Sequence, residues 1–278
     1  MTKPTADLTA LAPRGVTLLG CGKMGGAMLE GWLASGLPPR LVTVIDPKPS
    51  DRLTALAGEG LKLNPEAPGE ADVCILAVKP QMMGEAAPKV AGLAAGGTLY
   101  VSIAAGTPIS AFEKLFGADA AIVRAMPNTP AAVGRGITAL IGNARVSEAQ
   151  MAAAETLLAA VGETLRLEDE SQMDAVTAVS GSGPAYVFHL IEAMEAAGVA
   201  AGLPQELAAR LARVTVQGAG ELARQSPESP AQLRVNVTSP GGTTAAALSV
   251  LMAEGEGLTE LATRAVAAAA ARSRELAG

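Results

Sequence analysis

Residues 16–25 read Val16-Thr17-Leu18-Leu19-Gly20-Cys21-Gly22-Lys23-Met24-Gly25, and the fold is decided here. Apolar and β-branched residues make a short buried strand that stops at a glycine. Gly20, Gly22 and Gly25 then fall at GxGxxG spacing, and a helical stretch follows from Gly25 to Ser35. Each glycine answers a separate demand. Gly20 permits the tight turn, Gly22 lets a pyrophosphate approach the backbone, and Gly25 lets the helix pack on the sheet. The helix start then offers free N–H groups to an anion. The alternative is a glycine-rich turn without a ligand. The placement between a strand and a helix, with a full βαβ behind it, favours a dinucleotide.

Outward from this stretch, strands are expected at Leu41–Ile45, Val73–Val78, Leu99–Ile103, Ala121–Arg124 and Ile137–Ile141, with a helix over 147–161. This β-α-β rhythm predicts an α/β fold with a doubly wound parallel sheet of Rossmann type. It stops near residue 168. Helices are expected at 172–180, 184–200, 204–225, 241–254 and 257–276, separated by Gly, Pro and Ser clusters. The expected division is a flexible tail over 1–14, a dinucleotide-binding domain over 15–168 and an all-helical domain over 169–278.

The chain has 278 residues, 49% of them hydrophobic and 17% charged, which excludes a disordered polymer. With 31 Gly and 2% aromatic residues, its cores depend on small side chains and close backbone approach. The net charge of −6 argues against nucleic acid or an anionic membrane as partner. No apolar run reaches membrane-spanning length, and the first residues lack the apolar core of a signal peptide, so a cytoplasmic protein is expected. Cys21 and Cys74 are then expected as free thiols. No metal-ligand spacing appears, so no metal is expected.

The second strand ends at Asp46, 26 residues after Gly20. A carboxylate there accepts hydrogen bonds from the adenosine ribose and repels a 2′-phosphate, which favours NADH over NADPH. Asp46 also suits a turn cap in Asp46-Pro47-Lys48-Pro49-Ser50. Lys48 and Arg52 lie just beyond, within reach of a phosphate, so the cofactor choice stays open. In the helical half, Ser239-Pro240-Gly241-Gly242-Thr243-Thr244 opens a helix. Backbone N–H groups at such a start hold a carboxylate without Arg or Lys. A helix cap needs one hydroxyl, and three stand here.

Further segments are Ala77-Val78-Lys79-Pro80, Ser102-Ile103-Ala104-Ala105-Gly106, Arg124-Ala125-Met126-Pro127-Asn128-Thr129-Pro130, Ser180-Gly181-Ser182-Gly183-Pro184-Ala185-Tyr186 and Val237 to Thr244. Together they resemble the pyrroline-5-carboxylate reductase family over about residues 15–276. The resemblance implies reduction of a cyclic imine that carries a carboxylate, by NADPH or NADH, in the final step of proline synthesis. It implies that Thr244 hydrogen-bonds the imine nitrogen as the catalytic residue. Ser239, Gly241, Gly242 and Thr243 would hold the carboxylate, and Glu170 is a further substrate-side position. On the cofactor side it implies Gly20, Gly22, Lys23, Met24, Gly25, Asp46, Lys48, Asn64, Ala77, Val78, Lys79, Pro80, Ala104 and Ala105, with Asn236 beside the nicotinamide. Many members place Ser or Thr where Asp46 stands, which sets their NADPH preference against this residue. The family also implies an intertwined homodimer, often gathered into a larger ring such as a decamer.

The residues at hand fit that chemistry. A cyclic imine is a stronger base than a ketone and binds already protonated, so no strong general acid is required. The helical half contains no Lys, one His and one Tyr. His189 reads as a helix-surface or packing residue, and Tyr186 sits at a helix start. Small residues at 180–185 read as a tight helix start before Pro184. Two other readings remain. A 3-hydroxyacid dehydrogenase would want a helical Lys, which is lacking here. A non-enzymatic dinucleotide sensor would not need the intact Ser239–Thr244 segment.

Overall fold

The computed structural model describes residues 7–277. In chain order the elements are α1 (Leu8–Leu11), β1 (Val16–Leu19), α2 (Lys23–Ala34), β2 (Val42–Ile45), α3 (Asp51–Gly58), β3 (Lys62–Leu63), β4 (Val73–Leu76), α4 (Met83–Ala86), β5 (Leu99–Ser102), α5 (Ile109–Phe116), β6 (Ile122–Met126), β7 (Gly136–Gly142), α6 (Glu148–Ala159) and β8 (Gly162–Arg166). Helices follow: α7 (Met173–Val176), α8 (Gly183–Ala200), α9 (Gln205–Gln225), α10 (Pro230–Asn236), α11 (Thr243–Leu251) and α12 (Leu258–Ala277). Contacts divide the chain into two units. One comprises 1–181 with 270–278, the other 182–269.

The first unit is built on one sheet in the order β3-β2-β1-β4-β5-β6-β7-β8. β1 lies between β2 and β4, parallel to both, with Leu18 beside Val44 and Ile75. The order turns back on itself at the β1–β4 boundary, where a doubly wound sheet opens a crevice beyond its strand ends. Strands here are buried on both faces, so they read as continuous apolar runs. One face packs Leu18, Val44 and Ile75 against Met28, Trp32 and Leu157. The other packs Leu19, Leu76 and Tyr100 against Phe112 and Phe116. Trp32 Nε1 donates to the Leu157 carbonyl at 2.9 Å, fixing α2 against α6. Tyr100 and Phe116 stack with centroids 4.1 Å apart.

The sheet is parallel, as expected, except at one pair of strands. β7 runs antiparallel to β6, and β8 pairs parallel with β7. Residues 127–135, which join β6 to β7, are too few for the long crossover that a parallel pair needs. β8 was not legible because Gly162-Glu163-Thr164-Leu165-Arg166 is polar and half exposed, an edge pattern. Gly162 is essential to that edge, since a Cβ there would lie within 2.7 Å of three Gly136 backbone atoms. The loose tail expected over 1–14 also needs correction. Residues 1–6 lie outside the described residues, but Leu8–Leu11 form a helix capped by Asp7, with Leu8 and Ala12 buried. Arg14 then binds Asp72 at 2.7 Å and the Gly96 carbonyl at 2.9 Å.

In the second unit, α8 and α9 approach closely where a Cβ on Gly198 would lie 3.1 Å from Ala208 Cβ. Ala208 and Ala212 are buried. The larger side chains are not. Val187, Leu190, Leu207, Leu211 and Val214 are 42% to 56% exposed. Covering the remaining half of each is worth about 1 kcal/mol per side chain, scaled from full burial. Apolar rows of this extent suit burial against another chain. Light scattering on dilute protein is expected to give at least twice the 27.8 kDa chain mass. A stable, well-folded monomer would overturn this.

Candidate active site

The crevice at the strand ends is shaped by glycine. Gly20 holds φ +89, and a Cβ there would strike Val78 Cγ1 at 2.7 Å and the Ala77 carbonyl oxygen at 3.0 Å. A Cβ on Gly25 would sit 2.4 Å from the Gly20 oxygen. Around Gly22, by contrast, a Cβ would meet nothing within 4 Å. That open face lies at the N-cap of α2, which no side chain caps. The N–H groups of the first turn therefore face an empty approach that fits a pyrophosphate. The donor set suits a dinucleotide.

Asp46 is anchored by two backbone hydrogen bonds. Its Oδ2 accepts the Cys21 N–H at 2.7 Å, and its Oδ1 accepts the Lys48 N–H at 2.8 Å. The second bond is the turn cap. An ionised carboxylate has about four acceptor sites, so room for ribose hydroxyls remains. Asn64, with φ +46, braces Asp46 from behind. Its Oδ1 accepts the Asp46 N–H and its Nδ2 donates to the Asp46 carbonyl, both at 2.8 Å. Asn64 thus positions the carboxylate. Burial, then the charges of Asp46 and Glu30, push the Cys21 thiol up to about 11. It stays protonated at neutral pH and is a poor nucleophile.

Val78 and the exposed Lys79 and Pro80 follow β4, where Ala77 N–H donates to the Leu19 carbonyl at 2.8 Å. Ala104 is buried and Ala105 exposed after β5, with the Ala104 N–H on Ser102 Oγ at 3.2 Å. The loops after β1, β2, β4 and β5 thus all lie at the carboxyl edge of the sheet. Lys23 and Met24 begin α2.

Glu170 has partners that the sequence did not reveal. Its Oε1 accepts Arg124 Nη1 at 2.7 Å and the Ile109 N–H at 2.9 Å. It therefore pairs a nearly buried guanidinium and caps α5, whose N-cap is Pro108 and which has no other side-chain cap. Asn128 is a second missed brace. It accepts the Ile137 N–H at 2.9 Å and donates to the Ser180 carbonyl at 3.2 Å. Ser180 lies in a π-helical turn over Thr177–Gly181, just before Pro184 enters α8.

In the second unit the Ser239–Thr244 turn is built by two glycines with different duties. Gly241 holds φ +69, and Gly242 is the N-cap of α11, its N–H on the Ser239 carbonyl at 3.0 Å. The first helical bond runs from Ala246 N–H to the Gly242 carbonyl, so the N–H groups of residues 243–245 point out of the helix end. No side-chain hydroxyl caps α11, so Ser239, Thr243 and Thr244 are not used up as caps. Asn236 ends α10, accepting from Gln232 at 2.8 Å and donating to Glu228 at 3.0 Å. His189 is exposed, 3.0 Å from Glu192, in keeping with a helix-surface residue.

A family model described as pyrroline-5-carboxylate reductase dimerisation matches residues 170–276. Another, described as NADP oxidoreductase coenzyme F420-dependent, matches 15–106. Pyrroline-5-carboxylate reductase of Pseudomonas aeruginosa is 45% identical over 94% of this chain and 96% of that protein. The structure of a pyrroline-5-carboxylate reductase from Coxiella burnetii superposes with TM-score 0.88 at 36% identity, covering 95% of this chain and 99% of that one. The Plasmodium falciparum pyrroline carboxylate reductase with NADP bound gives TM-score 0.79 at 28% identity, covering 95% and 98%. These likenesses span both units, and the dimerisation model spans nearly all of the helices after β8.

The Arg124 pairing has a measurable consequence. Glu170→Ala leaves a guanidinium that is 7% exposed without its carboxylate. Because Glu170 itself is one-third exposed, the expected loss in urea unfolding is about 1–3 kcal/mol, below that of a fully buried pair. A loss within the ordinary surface range of about 0.5 kcal/mol would show that the pair is incidental.

Proposed function

The chain belongs to the pyrroline-5-carboxylate reductase family, and on that premise we propose how its residues reduce 1-pyrroline-5-carboxylate to L-proline, the final step of proline biosynthesis. The observation that carries the reading is the start of α11. It presents outward N–H groups and hydroxyls not engaged in capping, the equipment for a small carboxylate.

Ser239, Gly241, Gly242 and Thr243 hold the substrate carboxylate by hydrogen bonds and by the positive end of α11. Thr244 hydrogen-bonds the imine nitrogen and fixes the plane of the C=N bond. A bound nicotinamide dinucleotide would supply a hydride for the imine carbon. With the nitrogen already protonated, no further acid is needed for that step. The residues' task is orientation, which is worth several powers of ten in rate when a reacting pair is held in line. Gly20, Gly22, Lys23, Met24 and Gly25 take the pyrophosphate. Asn64, Ala77, Val78, Lys79, Pro80, Ala104 and Ala105 border the rest of the cofactor, Asn236 serves its nicotinamide end, and Glu170 lends support to the substrate side.

The preferred cofactor is NADH. Asp46 supports this, because two backbone N–H groups hold its carboxylate in place and prevent it from swinging away from a 2′-phosphate. Lys48, whose backbone makes one of those bonds, is the nearest cation in sequence. The working form is a homodimer, assembled into a larger ring such as a decamer, in the cytoplasm.

Steady-state kinetics with 1-pyrroline-5-carboxylate and each cofactor test the reading. Turnover is expected with both and a higher kcat/KM with NADH. Asp46→Ser should move the ratio toward NADPH by on the order of tenfold, the scale of one partly screened charge contact. A parent enzyme that strongly favours NADPH, with a ratio untouched by Asp46→Ser, would end the assignment. Thr244→Ala is expected to lower kcat by about 10²–10³, as loss of one preorganised hydrogen-bonding group does. Cofactor affinity should barely change. An unaltered kcat would remove Thr244 from the chemistry.

A further inference from the structure

Arg52 is the first arginine after β2. It lies six residues past Asp46, in the first turn of α3. An arginine near the end of the second strand is the usual means of accepting a 2′-phosphate. Here its guanidinium is already engaged. Nε donates to Glu30 Oε1 at 2.7 Å, and Nη2 donates to Glu30 Oε2 at 3.1 Å. Both carboxylate oxygens thus face one edge of the fork, the geometry that a phosphate would need. Glu59 Oε1 stands 4.0 Å from the remaining Nη1.

Glu30 sits on α2, the helix that the glycine loop opens. The hydrogen bond from Arg52 holds its carboxyl below the usual carboxylate range. After burial, the charges of Asp46 and then Glu30 raise the Cys21 thiol. Asp46 also accepts the Cys21 N–H directly.

We propose that Glu30 is a specificity-determining positioning residue: by occupying the binding edge of Arg52, it withholds from a 2′-phosphate the guanidinium that follows Asp46 by six residues. This rests on the NADH reading above. Asp46 repels the phosphate, and Glu30 removes the cation that would offset the repulsion. The pair is about half exposed on both sides, so it is held by its two-point geometry and not by burial.

Calorimetry on the full-length protein decides this, with adenosine 2′,5′-bisphosphate and ADP as probes. The proteins are the parent, Glu30→Gln, Arg52→Ala and the double variant. Glu30→Gln is expected to tighten the 2′,5′-bisphosphate about two- to fivefold, the scale of an exposed ion pair, and to leave ADP within about twofold. ADP binding also reports that the fold is intact. Arg52→Ala alone should change neither Kd, and in the Glu30→Gln background it should erase the gain. In kinetics the same gain should appear in the KM for NADPH and not in kcat.

Three results would overturn the proposal. Glu30→Gln could bring no gain. The gain could survive Arg52→Ala, which would assign it to Lys48 or to bulk charge. Arg52→Ala alone could weaken the 2′,5′-bisphosphate severalfold, meaning that Arg52 already reads the phosphate. A parent that binds the 2′,5′-bisphosphate more tightly than ADP would instead refute the NADH reading, and the Arg52 cycle would still report on Glu30 independently.

Discussion

The hydrogen bond from Cys21 N–H to Asp46 Oδ2, 2.7 Å long, ties the end of β2 to the turn that leaves β1. The glycine loop has few side chains to hold it, because its function requires their absence. Its orientation therefore depends on backbone bonds of this kind and on the close seat of Gly20 against Ala77 and Val78. Asn64 clamps Asp46 on both backbone sides in a left-handed conformation that Asn tolerates better than most residues. One carboxylate thus orders the glycine loop through Cys21 and caps its own turn through Lys48.

The two units meet the shortage of large side chains differently. The first gathers Trp32, Tyr100, Phe112 and Phe116 into its own core. The second leaves Tyr186 and Phe188 exposed and buries only small residues at the α8–α9 contact. Alanine lets helices come close but removes little area from water per residue. The apolar rows on α8 and α9 are thus a surface made for another chain. That agrees with a dimerisation family model over the same residues.

Each unit uses charge sparingly. In the first unit the nearly buried guanidinium of Arg124 is paired by Glu170, whose carboxylate also caps α5. The cations of the second unit are all arginines, and none lies within the Ser239–Thr244 turn. An anion there meets backbone dipoles and hydroxyls. Such donors impose direction without the large desolvation cost of an added ion pair. For a reaction that depends on holding a flat imine in one plane, direction is the useful property.

Local sequence determined the buried strands, the glycine loop, Asp46 at its strand end and the glycine-opened start of α11. Each depends on periodicity or on a short motif whose residues lie next to one another in the chain. The weak edge strand β8 was missed because its five residues carry no apolar alternation. The turn of β7 against β6 depends on how the chain returns after a short loop, which periodicity does not encode. The bonds of Glu170 to Arg124, Asn128 to Ser180 and Arg52 to Glu30 join residues 46, 52 and 22 positions apart. An isolated carboxylate or amide reads the same in sequence whether it faces ligand, solvent or a distant guanidinium. Only tertiary structure decides among these, because folding alone brings the partners within hydrogen-bonding distance.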